Sequence, residues 1–420
     1  MSHGRIIGPW QLPTGVFEMT PDRAASFRKV ENSLLSTFSG WGYREIRTPA
    51  MEYLETMAQG LTQAELDIAF KLVDRYTGRM MVLRSDVTPQ AARMAAIGLQ
   101  DLPRPLRLCY IANVYRYPDD PGHPRRELVQ AGAELLGLQE PQADAEVVAL
   151  AVNSLRSMGL SGIRISIGQV RYARGLLSER NLPPQTEDRL MVAAHRKDWA
   201  GMSGILDSEG ITGGDLRPAL LALTETQGGD EAIARAEHLA PNRECRDALT
   251  NLRTVLELLP SYGIDRDLIQ VDLGEVAGFR YHTGVVFAGF VSGAGRAVLR
   301  GGRYDHLAGR FGNPDPATGF AIDILELVEI ASGRVEMVPS IDYMLVNRTG
   351  DRAKGLRIAV ELRNRGRNIL CLIRDLPQER LLPYAKAHSI KKALILEGDG
   401  SLHCLDPSSG EPSACDLEEL

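Results

Sequence analysis

Residues 299–312 read "LRGGRYDHLAGRFG", and residues 318–327 read "TGFAIDILEL". The first stretch pairs Gly301 with Gly302 and carries Arg300, Arg303 and Arg310, the composition of a loop that lets backbone come close to an anionic ligand. The second reads as the start of an apolar helix, yet it supplies Asp323 and Glu326 and neither Lys nor Arg. A nucleotide site calls for a cation at this point, so two acids there raise the question of what kind of site this is.

Composition narrows the answer. With 420 residues, 44% hydrophobic and 24% charged, the chain can bury more than one core and divide into two or three domains. Its 48 basic and 54 acidic residues are interleaved, without the basic stripe that nucleic-acid binders use to neutralise phosphates. The five cysteines form no CxxC and no Cys/His pair at ligand spacing, so neither a disulfide framework nor a metal or cofactor is expected, and a reducing cytoplasm fits best. The first residues contain no apolar leader, and no stretch reaches the ~20 apolar residues of a membrane span, so membrane insertion is not expected.

Periodicity then organises the chain. A helix opening at Pro21–Asp22 carries Phe27, Val30, Leu34 and Phe38 on one face. Strands are expected at "YREIRTP" (43–49), "MMVLR" (80–84), "RLCYIANVYRY" (107–117) and "GIRISIG" (162–168), with a helix over Pro89–Ile97. A second long helix, "ADAEVVALAVNSLRSMG" (143–159), takes Asp144 as N-cap and Gly159 just past its end. Strand signals then vanish, which predicts a helical insertion over 174–260 within a core formed by 1–173 and 261–333. Residues 340–420 read as a small α/β domain: strand Tyr343–Val346, helix Ala353–Arg365, strand Ile369–Ile373, helix Leu382–Ala387, strand Ala393–Leu396, and a frayed tail.

Four stretches could carry chemistry. In "LRSDVTPQAAR" (83–93), Asp86 and Thr88 stand two apart at a strand end, able to face an ammonium group or merely to cap a helix. In "VYRYPDDPGHPRRELVQAGAELLG" (114–137), Arg116 leads into a Pro- and Gly-rich loop, and Gln130 and Glu134, four apart on the returning strand, face one side. "GEVAGFRYHTGVVF" (274–287) offers Tyr281 and His282, and the fourth stretch is the Gly301–Gly302 loop itself.

The order and spacing of these stretches, with "GYREIRTPAME" (42–52), resemble the catalytic core of class II aminoacyl-tRNA synthetases, specifically histidyl-tRNA synthetase, over roughly residues 10–330. The resemblance implies an α+β fold with an antiparallel sheet core, the helical insertion, and a C-terminal unit like that family's anticodon-binding domain. It also implies a histidine pocket of Asp86 (where the family has Glu), Thr88, Arg116, Gln130, Glu134, Tyr281 and His282. The ATP half departs from the pattern: Pro118 replaces an adenine-contacting acid, Ala277 an arginine for the α-phosphate, and Glu326 the ATP-stacking arginine. Because adenylation depends on positive electrostatic stabilisation, the combination implies no catalysis by this chain. It resembles the synthetase-like regulatory subunits of ATP phosphoribosyltransferase, which implies a short-form catalytic subunit as partner, L-histidine as ligand and dimerisation through the class II core. The C-terminal domain carries 12 Lys/Arg against 12 Asp/Glu, so tRNA is not an expected partner, and the Arg363, Arg365, Arg367 cluster reads as a solvated helix end.

Overall fold

Small and apolar residues, buried on both faces of the central strands, build the sheet of the first unit. The computed structural model describes residues 12–118, 124–276, 278, 280–331, 341–374, 376–407, 410 and 412–420, in two compact units, Met1–Val335 and Glu336–Leu420. In the first unit, nine strands among the described residues form one sheet: β1 (Arg44–Glu45), β2 (Leu106–Tyr115), β3 (Glu127–Leu136), β4 (Arg164–Gln169), β5 (Gln227–Gly228), β6 (Ile269–Asp272), β7 (Val285–Phe290), β8 (Leu299–Arg303) and β9 (Ala317–Asp323). Their spatial order is β1-β2-β3-β9-β8-β7-β4-β6-β5. The β1–β2 and β4–β6 pairs are parallel and the others antiparallel, so the class is α+β.

Helices α1 (Pro21–Gly40) and α3 (Pro141–Ser157) cover one face, where Val30, Leu34 and Phe38 meet Val147, Leu150, Ala151 and Leu155 in the main core. Phe38 meets Phe320 of β9 edge-on at 6.0 Å. Between α1 and α3, helix α2 (Thr88–Arg93) begins at the Asp86–Thr88 turn and continues as a π-helix, Met94–Gly98. The stretch expected as a helical insertion holds six helices, Val170–Leu177 to Arg243–Leu258, of which the second is labelled α4 (Pro184–His195), but it also contributes β5 to the core sheet, a strand too short to carry a periodic signal.

Several expectations need correction. "TGFAIDILEL" is mostly strand, pairing with β3 and β8 as far as Asp323, and only then does helix α5 (Ile324–Ala331) begin. Its alternation of small and apolar residues fits a strand buried on both sides, which periodicity does not separate from a buried helix. Asp144 does not cap α3: the helix starts at Pro141, whose missing N–H suits the first turn, and Asp144 lies inside it, buried against Arg303. The tail is not wholly frayed, because Pro412–Ala414 pairs with Leu402–Leu405.

The second unit has its own five-stranded sheet, with parallel pairing at its centre and two helices, Arg352–Asn364 and Gln378–Ala387. Pro383 inside the second helix hid its first turn from a sequence reading. The arginine cluster is not merely solvated: Arg363 donates to the Ile369 carbonyl at 2.9 Å, Arg365 to that of Leu417 and Arg367 to Leu420, both at 2.7 Å. Among the described residues, no helix is long and apolar enough to cross a membrane.

Candidate functional site

Where β3, β8 and β9 meet α4 of the insertion, a cavity of about 1070 Å³ opens. Asp86, Thr88, Arg116, Gln130, Tyr281 and His282 all line it, so residues spread over nearly 200 positions converge on one wall. The sheet register explains the convergence. Gln130 and Glu134 on β3 stand opposite Asp323 and Gly319 of β9, which puts both on the same face four residues apart.

Glu134 lies beneath the cavity floor, fully buried, not on its surface. Thr88 and Tyr110 donate their hydroxyls to one carboxylate oxygen at 2.8 and 3.1 Å, and the Tyr304 hydroxyl donates to the other. Burial nevertheless pushes this carboxyl up to about 8, because three hydroxyls do not replace the water a carboxylate loses. Glycine at 319 leaves the room: a Cβ there would stand 1.7 Å from the Glu134 carboxylate. Sequence reasoning missed Tyr110, Tyr304 and Gly319, although "GGRYD" and "TGF" contain two of them.

The walls divide into satisfied and unsatisfied groups. Asp86 accepts from the Val87 and Thr88 backbone N–H groups at 2.7 and 3.3 Å in a local turn just ahead of α2, whose N-cap is Val87 and not Asp86. The Arg116 guanidinium reaches the Ser85 carbonyl at 3.4 Å. The Tyr281 ring stacks on Tyr304 at 5.4 Å and meets the His282 ring edge-on at 5.1 Å. His282 sits 3.3 Å from the Arg303 carbonyl, and burial lowers its ring to about 4, so it is neutral at physiological pH. By contrast, the Tyr281 hydroxyl and Gln130 Oε1 are buried with no hydrogen-bond partner among the described residues. Leaving such a group unpaired costs about 1–3 kcal/mol, so two of them on one wall point to a ligand that presents hydrogen-bonding groups there.

The paired glycines do a different job from the one their sequence suggests. A Cβ on Gly301 would collide with Phe287, and one on Gly302 with the His282 ring, so both are required by packing within the protein. Arg303 is likewise structural: it is nearly buried and pairs with Asp144 at 3.0 Å and Asp305 at 3.1 Å, locking α3 to β8.

Four residues along β9 from Gly319, at the end of the cavity marked by Asp323 opposite Gln130, the structure adds charges that the sequence reading did not connect. Glu326 accepts from Arg296 at 2.8 Å and lies 3.5 Å from Arg125, and Asp323 lies 3.4 and 3.8 Å from the same two guanidinium groups. Pro118 is half-buried beyond Arg116, and Ala277 lies outside the described residues. No cluster of His, Cys, Asp or Glu among the described residues could hold a metal ion.

This sheet, with its polar-walled cavity, is a class II synthetase-like architecture of the histidyl type; residues 15–327 match the family model described as Histidyl-tRNA synthetase. A protein of Geobacter metallireducens named ATP phosphoribosyltransferase regulatory subunit is 37% identical, covering 92% of this chain and 89% of its own length. One of that name from Syntrophotalea carbinolica is 38% identical over 97% of this chain and 96% of its own. The solved structure of an ATP phosphoribosyltransferase regulatory subunit/histidyl-tRNA synthetase from Bacillus halodurans superposes with a TM-score of 0.81 at 29% identity, covering 93% of this chain and 99% of that one. The chain belongs to the ATP phosphoribosyltransferase regulatory subunit family.

Proposed function

We propose that this protein is the non-catalytic regulatory subunit of an ATP phosphoribosyltransferase, activating a short-form catalytic subunit at the first step of L-histidine biosynthesis and taking part in feedback inhibition by histidine. The observation that carries this reading is the contrast within one cavity: a polar wall with two orphaned hydrogen-bonding groups at one end, and carboxylates where ATP chemistry needs cations at the other. L-histidine is the ligand of the first end. Gln130 Oε1 and Asp86 face its ammonium group, Tyr281, Thr88 and His282 surround the side chain above Glu134, and Arg116 supplies the cation for its carboxylate. Occupancy biases an equilibrium shared with the partner subunit, the reciprocal coupling that defines allostery.

Two copies pair through the class II core, in the cytoplasm. The C-terminal unit, an anticodon-binding-like domain, serves protein contact and not tRNA, consistent with arginines engaged by the chain's own carbonyls. The decisive experiment mixes this protein with a short-form catalytic subunit and follows phosphoribosyl-ATP formation with and without histidine. Activation that histidine suppresses is expected, and no activation overturns the assignment. An active histidyl-tRNA synthetase is the second reading, favoured by the intact Thr88, Gln130 and Glu134 set; histidine-dependent ATP–pyrophosphate exchange would establish it.

A further inference from the structure

Three parts of the chain far apart in sequence bring their charges together behind the stretch of cavity wall that Arg296 and Asp323 line. Arg125 comes from the residues just before β3, Arg296 from the connection between β7 and β8, and Asp323, Glu326 and Glu329 from the end of β9 and helix α5. Arg296 donates through Nε and Nη2 to one Glu326 oxygen at 3.2 and 2.8 Å, and Arg125 pairs with Glu329 at 2.6 Å. Glu329 also takes Arg23 of α1 at 3.0 Å.

Two details set this apart from an ordinary surface network. The Arg125 Nη1 atom is buried without a hydrogen bond among the described residues, standing 3.5 Å from Glu326 and 3.8 Å from Asp323. It faces carboxylates that do not fully satisfy it. Second, Asp323 Oδ1 accepts from the Leu325 and Glu326 N–H groups at 3.0 and 3.3 Å, so the first free donors of α5 are already taken. Helix N-termini and guanidinium pairs are the two devices with which proteins most often bind phosphate. Both are present here, both are filled by the chain's own carboxylates, and Asp323 and Arg296 line the cavity itself.

We infer that Asp323, Glu326 and Glu329 are specificity-determining residues that stand in for a polyphosphate: they occupy a latent multivalent-anion site in cis, so the cavity admits an amino acid and excludes nucleotides. The cations of this end are therefore present but engaged. An entering triphosphate would have to displace two guanidinium pairs while approaching three carboxylates, and like charges at such distances repel. The exclusion is useful to a chain whose cavity must respond to an amino acid without competition from nucleotides, but it holds whatever that amino acid is.

Inorganic tripolyphosphate titrated calorimetrically into the full chain tests this directly. The unmodified protein is expected to give no saturable binding, and Asp323→Asn/Glu326→Gln/Glu329→Gln to bind at least tenfold more tightly than any residual affinity of the parent. Adding Arg296→Ala to the neutralised chain returns it to the parent's level. Glu326→Gln/Glu329→Gln keeps the Asp323 cap of α5 and carries the test if the triple variant fails to fold. A folded neutralised chain that gains nothing overturns the inference, as does parental binding of equal strength or a gain indifferent to Arg296. Histidine titration of the unmodified protein is a separate experiment, so failure here and failure of the histidine reading are distinguishable.

Discussion

The two ends of one cavity are built from the same sheet, and they differ in what they leave unpaired. At the amino-acid end a single buried carboxyl is saturated by three hydroxyls, while the Tyr281 hydroxyl, and Gln130 Oε1 where the two ends adjoin opposite Asp323, have no hydrogen-bond partner among the described residues. At the other end Asp323, Glu326 and Glu329 meet Arg125, Arg296 and Arg23 within the chain. Neutral groups left without a partner announce a ligand, whereas carboxylates neutralised by the chain's own arginines, even with Arg125 Nη1 short of a hydrogen bond, announce that a ligand has been replaced. The difference turns a comparison of residue types into one of hydrogen-bond bookkeeping.

The largest expected effect lies under the first end. Arg303→Ala strands Asp144, 1% exposed, in the core without its countercharge. Breaking one side of a buried pair costs roughly 3–5 kcal/mol, which denaturant unfolding of the first unit would read; a loss below about 1 kcal/mol would show that the pair does not hold α3 to β8.

Next comes Glu134. Glu134→Ala leaves the Thr88, Tyr110 and Tyr304 hydroxyls without their acceptor and should cost about 2–3 kcal/mol, whereas Glu134→Gln at pH 7 should stay within about 1 kcal/mol of the parent. The pH dependence follows from the sign of the shift. The folded carboxyl titrates at about 8, above its ordinary 4.5, so its contribution is complete below 4.5 and is lost as pH rises through about 8. Glu134→Gln should flatten the fall in stability over that window; an unchanged slope would assign the fall to another group.

Tyr281→Phe gives the sharpest contrast between binding and folding. Its hydroxyl has no hydrogen-bond partner among the described residues, so stability should be unchanged or slightly higher while histidine affinity falls about tenfold, one hydrogen bond's worth. Equal losses of both would mean that the hydroxyl is structural. Smallest is Arg23→Ala: its pair with Glu329 is about half exposed on both sides, and removing it should change stability by less than about 1 kcal/mol.

Much of this was legible in the sequence, and what was not has physical causes. The wall residues Asp86, Thr88, Gln130, Tyr281 and His282 carried their own signals, because strand-end and four-apart spacings translate directly into a shared face. Asp144 was misread because an acid near a helix start usually caps it, and only the fold reveals Arg303 above it. "TGFAIDILEL" was misread because a strand buried on both faces loses the alternation that marks strands. Arg125 and Arg296 escaped notice since nothing local ties either to residues 323–329; a sheet register and a hairpin make that connection. Glu326, singled out as standing where the family carries an ATP-stacking arginine, is paired with Arg296 and lies 3.5 Å from Arg125, two cations that the sequence reading did not connect to it.

That contrast between the ends is tested most directly by measuring histidine-dependent ATP–pyrophosphate exchange alongside histidine titration of the same protein. Saturable histidine binding without exchange above background is predicted, and Glu326→Arg alone should not create exchange, because Pro118 and Ala277 remain. Sustained histidine-dependent exchange by the unmodified chain would contradict the reading, since it would show that the second end still accepts and activates ATP.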